Sequence, residues 1–210
     1  MTVTEEIENT LLTFIKAEMA QDLAHDIHHV MRVVNTAKIL CEEEKAIKEV
    51  VIPAAYLHDC FSFEKNHPNR AQSSLFAADK AIVFLNRLNY PTEYLEGIHH
   101  AIIAHSFSAN IETQTVEAQI IQDADRLDAL GAIGIARCIQ VSAKLGRPLY
   151  SFDDPFCHER APTDGLYTID HFYTKLLTLS SSMKTKSAVR EADKRTLVMR
   201  AFLMQLESEI

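Results

Sequence analysis

A chain of 210 residues, 47% hydrophobic and 24% charged, has the make-up of a globular protein able to bury one good core, roughly 70% of its unfolded surface. Its formal net charge of −8 argues against a general nucleic-acid or membrane-surface binder, though not against a local basic pocket for an anionic small molecule. The acidic start MTVTEEIENT, the lack of a membrane-length apolar run and 4 scattered cysteines without a CxxC pair point to a cytoplasmic protein with reduced thiols.

Helical periodicity dominates from end to end, and the fold class is all-α. Residues 4–20 suit a first helix, with Ile7, Leu11, Phe14, Ile15 and Met19 on one side. Residues 26–44 suit a second, with Val30, Val33, Val34, Ala37, Ile39 and Leu40 as its apolar stripe. A third runs through 46–58 and is expected to kink or restart at Pro53, because proline lacks the N–H and clashes with the preceding turn. FSFEKNHPNR, 61–70, reads as a loop. Helices follow at 71–88 and 92–105, the latter opened by Pro91 and Thr92, then a polar loop at 106–114. Residues 115–145 suit a long helix with a break near Gly131 or Gly134. After the irregular stretch 146–167, helices at about 168–179 and 185–208 close one domain with a helical extension. Leu197, Phe202 and Leu203 are candidates for core or for the face of a homodimer.

The polar residues set into these apolar helices carry the chemistry. AAYLHDC, 54–60, ends an apolar run with His58 beside Asp59, two groups that are costly to bury unpaired. In HDIHHVMRVV, His29 and Arg32 share a face, and Val33 turns His29 toward the core, whereas His25 and His28 read as a solvated helix start with His25 or Asp26 near the cap. QDADRLDALGAIGIAR brings three acids, with Asp125 and Asp128 roughly aligned and Asp123 about 200° from Asp125. His100 and His105, five apart, reach one cavity only if their helix ends near Ala104. His29, His58, Asp59 and a later aspartate make a mixed nitrogen and oxygen set suited to Mn²⁺, Fe²⁺, Ni²⁺ or Zn²⁺. Such an ion lowers the pKa of bound water and polarises a phosphoryl group.

The order His29, then His58-Asp59, then Asp125 resembles the HD superfamily of metal-dependent phosphohydrolases, all-α proteins whose helices surround a divalent metal. The segments HDIHHVMRV, LHDCFSFEKNHPNR, HAIIAHSFS, EAQIIQDADRLDALGAIGIAR, DDPF and DHFYTKLLTL are similar to a bacterial subfamily of small stand-alone HD proteins. The resemblance implies a single HD domain over 1–210, with its core at about 22–145 and a C-terminal helical extension at about 146–210. It implies His29, His58, Asp59 and Asp125 as metal ligands, Asp125 being chosen because the family ligand precedes a basic residue and leucine, here Arg126-Leu127. The expected ion is Mn²⁺, with Mg, Ni, Fe, Co or Zn as alternatives.

Around that set, His58, Asp59 and Glu64 are the catalytic candidates, Glu64 as a general base. Arg32, Lys65, Arg70, His100, His105 and Lys175 are candidates for the substrate side, and the two histidines could also serve a second ion. Arg126 could pair with a neighbouring carboxylate. No HDGYP signature and no appended nucleic-acid or sensor module is seen. The expected activity is cleavage of a nucleoside triphosphate to the monophosphate and pyrophosphate. Alternatives are a phosphomonoesterase on nucleoside monophosphates, hydrolysis of an alarmone or cyclic nucleotide, a metal-binding sensor without turnover, and di-iron oxygenation.

Overall fold

The computed structural model describes residues 3–19, 26–64, 67–106 and 109–210, and among them there are nine α-helices, two short 3-10 segments and no strand. No helix among them is long and apolar enough to cross a membrane. The chain divides into two compact units, Met1–Asp125 and Arg126–Ile210.

The first unit is built on a helix buried nearly all round. α1 (Glu5–Glu18) starts where the Thr4 hydroxyl accepts from the Ile7 N–H, with Glu5, Glu6 and Glu8 at the positive end of the helix dipole. It buries Leu11 and Ile15. α2 (Ile27–Glu44) is capped by Asp26, whose carboxylate accepts from the His29 N–H at 2.8 Å. Its buried stripe is His29, Val30, Val33, Val34, Ala37, Leu40 and Cys41. Ile39, expected in that stripe, is 59% exposed, because the 3.6-residue turn carries it off the face that Val33, Ala37 and Leu40 share.

α3 (Lys48–Leu57) packs against α1, α2, α4 (Ser73–Arg87) and α5 (Thr92–His105), and every residue from Val50 to Leu57 is buried. It does not restart at Pro53. A proline there has no N–H for the carbonyl of Glu49, one turn back, and that carbonyl instead accepts from the Tyr90 hydroxyl at 2.8 Å. The tertiary bond offsets the lost helical one. Burial pushes the Tyr90 hydroxyl far above its ordinary pKa, so it stays a donor at physiological pH.

α4 is preceded by a 3-10 turn at Arg70–Gln72 and packs on α5 through small residues, with Ala77, Ala78 and Ala81 buried. α6 (Val116–Leu127) carries the chain to the unit boundary.

In the second unit, the expected long helix over 115–145 is two. α7 (Gly131–Lys144) begins at Gly131, whose φ of +70° lies in the left-handed region. A Cβ on Gly134 would sit 2.2 Å from the Ala129 carbonyl oxygen, so both glycines are needed for the corner. Arg137 braces it, donating to the Asp128 carbonyl and carboxylate. Arg126 donates to the Ser182 carbonyl at 2.8 Å.

The stretch 146–167 lacks helix, but it is held. The Asp154 carboxylate accepts from the N–H groups of His158, Glu159 and Arg160 at 2.9–3.0 Å. The Arg160 guanidinium then forms a two-pronged pair with Asp170 at 2.6 Å per contact, and the Thr163 N–H adds a third bond at 2.7 Å. Asp170 lies on α8 (Thr168–Thr174), which is shorter than expected and passes into a 3-10 segment at Leu176–Ser182. α9 (Lys186–Glu207) is capped by Thr185; it buries Leu203, half-buries Phe202 against Phe172 and leaves Leu197 67% exposed.

Candidate metal centre

Three helix segments of the first unit deliver a histidine each to one place. His29 lies in the first turn of α2, His58 follows the last residue of α3, and His105 is the last residue of α5. All three are buried. Two carboxylates join them, Asp59 from the turn after α3 and Asp125 from the last turn of α6.

His58 and His105 use the same device. Each places Nδ1 against the carbonyl three residues earlier, Ala55 at 2.8 Å and Ile102 at 2.6 Å. A carbonyl only accepts, so Nδ1 carries the proton and Nε2 presents a lone pair. Those Nε2 atoms face carboxylate oxygens and a third imidazole nitrogen. His58 Nε2 lies 3.4 Å from His29 Nε2 and 3.5 Å from an Asp59 oxygen. His29 Nε2 is 3.4 Å from Asp125 and 3.7 Å from Asp59, and His105 Nε2 is 3.8 Å from the other Asp59 oxygen.

Contacts of this length are too long for strong hydrogen bonds. They suit donor atoms that converge on a common point. Two overlapping groups, His29–His58–Asp125 and His58–Asp59–His105, each bring their ligand atoms within 4.8 Å of one another. Burial, and then the neighbouring His58, push the His105 imidazole below its ordinary pKa, which favours the neutral form a metal requires. Two carboxylates among buried imidazoles match the charge of a divalent cation, and the donor set fits one. Second contacts of the kind His58 and His105 make to carbonyls set ligand orientation in metal sites.

The main chain around the pair is fixed as well. The carbonyl of Cys60 accepts from the Lys80 ammonium at 3.1 Å, and Lys80 also pairs with Glu18 at 2.7 Å. The Cys60 thiol donates to the Ala77 carbonyl, and burial pushes its pKa to about 12, so it remains a neutral thiol. At the far side, the Gln122 amide donates to the Ala104 carbonyl at 2.8 Å, tying the end of α5 to α6.

The remaining candidates fall differently. His100 is half-buried and accepts the Gln114 N–H on its Nε2 at 3.0 Å; it is not in either ligand group among the described residues. The helix runs through both histidines, so a spacing of five turns them to different faces. Glu64 is exposed on the loop, and Arg70 donates to the Phe63 carbonyl at 2.7 Å. Arg32 is half-buried on α2. Lys175 is exposed at the end of α8 in the second unit. Lys65 and His25 lie outside the described residues.

One feature had no sequence signal strong enough to find it. Phe61, Phe63, His67 and Phe76 form a cluster of rings from the loop that follows the metal pair and from α4, and no single helical or strand period relates all four.

Comparison with known proteins gives the family. Residues 26–130 match the HD domain family. The uncharacterized protein YpgQ of Bacillus subtilis (strain 168) is 33% identical over 190 residues, covering 89% of this chain and 84% of that protein. The crystal structure of an HD-superfamily hydrolase from Bacillus thuringiensis superposes with a TM-score of 0.76 at 32% identity, covering 98% of this chain and 97% of that one. A crystal structure of Bacillus subtilis YpgQ in complex with ADP superposes with a TM-score of 0.75 at 28% identity, covering 97% of each chain.

Proposed function

The chain belongs to the HD domain family and is a metal-dependent phosphohydrolase, and from that premise we propose that it cleaves nucleoside triphosphates between the α and β phosphates with Mn²⁺ as its ion. The observation that carries the nucleotide is the ADP complex of YpgQ, a relative similar over nearly the whole chain. Mn²⁺ suits a set that mixes imidazole with carboxylate, whereas Mg²⁺ prefers oxygen alone.

In this reading His29, His58, Asp59 and Asp125 hold the ion, and His105 completes the buried wall beside Asp59. A divalent ion so bound supplies an electrophile for a phosphoryl oxygen and lowers the pKa of a water. The side chains do the rest. His58 and His105 commit Nδ1–H to carbonyls, which fixes each ring with Nε2 toward the site, so no rearrangement is needed when substrate arrives. Arg70, from the 3-10 turn before α4, and Lys65, six residues after Asp59 in sequence, neutralise phosphate charge, and Arg32 adds to this from α2. Glu64 is exposed to water on the loop that follows the pair and accepts the proton of the attacking water.

The test is a phosphorus NMR time course on metal-stripped protein given mixed nucleoside and deoxynucleoside triphosphates, with and without Mn²⁺. Pyrophosphate that accumulates only with metal is the expected result. Inorganic phosphate alone would replace this reading with stepwise or monoester hydrolysis. No new signal with any divalent ion would sink turnover of these substrates.

A further inference from the structure

We propose that the ring cluster of Phe61, Phe63, His67 and Phe76 is the platform on which the base of the bound nucleotide stacks, a proposal that rests on the nucleotide reading above. The rings are in mutual contact. Phe63 lies parallel to His67 at 4.3 Å between centroids, and meets Phe61 and Phe76 edge to face at 4.9 Å and 5.3 Å. Phe61 and Phe76 close the group at 5.5 Å.

The position of the cluster is set by the metal pair. Phe61 follows Asp59 by two residues, so their Cα atoms are at most about 7 Å apart. The loop is then sewn to α4. Cys60 is held at Ala77 and Lys80, the Phe63 N–H donates to the Ser73 hydroxyl at 3.1 Å, and Arg70 holds the Phe63 carbonyl. The rings are therefore placed before any ligand arrives.

Packing alone does not account for them. Rings gathered to fill a core would be buried, yet Phe76 is 45% exposed, its neighbour Leu75 is 40% exposed, and His67 is exposed. What fits beside a phosphate site and against open aromatic faces is a flat, apolar-faced heterocycle joined to phosphate. Stacking reads the face of a base and not its hydrogen-bonding edge, so the platform tolerates every base and ranks purines above pyrimidines by area.

The experiment is calorimetric titration with a non-hydrolysable α,β-methylene analogue of ATP and, separately, with inorganic tripolyphosphate, both with Mn²⁺. Wild type, Phe76→Ala, Phe76→Leu and Phe76→Tyr are compared. Phe76→Ala is expected to weaken the nucleotide analogue by about tenfold and to leave tripolyphosphate within about twofold. Phe76→Leu, which retains apolar volume without a π face, should fall between, and Phe76→Tyr should restore binding. Equal weakening of both ligands, or of neither, overturns the platform. A wild type that binds tripolyphosphate as tightly as the nucleotide also overturns it, while leaving a phosphate-directed metal site in place. If neither ligand binds the metal-loaded wild type, the nucleotide reading falls and the platform with it.

Discussion

Asp170 and Asp59 both sit among buried groups, and the partners gathered around them are opposite in kind. Asp170, fully buried, is met by a guanidinium and an amide N–H, every one a donor. Asp59 is met by Nε2 atoms of His29, His58 and His105, two of them fixed as acceptors by their own carbonyl contacts. The first carboxylate has its cation built into the chain, from Arg160. The second faces two imidazole lone pairs, an arrangement that suits a cation from solution. Buried acid by itself says little about function; the polarity of what faces it separates a clamp from a metal centre.

The comparison breaks most visibly at Asp59. Asp59→Ala should abolish metal-dependent turnover with helical content by circular dichroism nearly unchanged; wild-type activity in this variant would remove Asp59 from the ligand set. Asp170→Ala should do the reverse. It leaves Arg160 facing a gap and should lower Tm by roughly 10 °C, with the metal-induced gain in Tm preserved. Mn²⁺ at a hundredfold excess over its Kd should stabilise the wild type by about 2.7 kcal/mol, a Tm rise of roughly 5–10 °C, and should do nothing for Asp59→Ala. Equal shifts in both proteins would place the ion elsewhere.

Acid distinguishes the two regions as well. The N–H groups of Arg160, Glu159 and His158 hold the Asp154 carboxyl down at about 2, from an ordinary 3.8. Burial alone would push Asp170 up, but the Arg160 guanidinium and the Thr163 N–H outweigh it and hold it below its ordinary value. Both folded values are depressed, so their stabilisation is complete above the unfolded value and fades as pH falls below about 4, for Asp154 through about 2. The metal centre should fail earlier, because protons compete with the ion for imidazole nitrogen. Titrating metal-induced Tm gain and metal-free Tm against pH should give two separate transitions, and a single shared one would refute the distinction. The smallest effect is expected from Lys80→Met. It loosens the Cys60 carbonyl behind the metal pair and should weaken Mn²⁺ binding by about tenfold in a calorimetric titration, with no change in the response of the Arg160 clamp to acid.

Much of the helical layout could be read from the chain because its signals are local. Asp26 caps α2 where an acid precedes an apolar stripe, and Pro91 with Thr92 opens α5. The pairing of His29 with His58 and Asp59 was legible because each interrupts an otherwise apolar run. The rest depended on contacts that no spacing encodes. His105 reaches the cluster from the last residue of α5, and α8 stops at Thr174 where the chain tightens into a 3-10 segment. Arg160 finds Asp170 across a stretch with no periodicity at all. The ring cluster is invisible for the same reason, since Phe76 joins Phe61 and Phe63 only once the loop is folded onto α4.

The bond between Tyr90 and the carbonyl that Pro53 leaves without a helical donor makes two distant positions a single hereditary unit. In a homologue with an ordinary residue at 53, the helix satisfies that carbonyl itself and the hydroxyl at 90 has no task, so phenylalanine there should be neutral. With proline at 53, the same phenylalanine takes the hydroxyl donor from the half-buried Glu49 carbonyl in the first turn of α3. The order in which lineages can exchange these residues is therefore constrained: proline can enter only after the tyrosine is in place, and the tyrosine can leave only after the proline has gone.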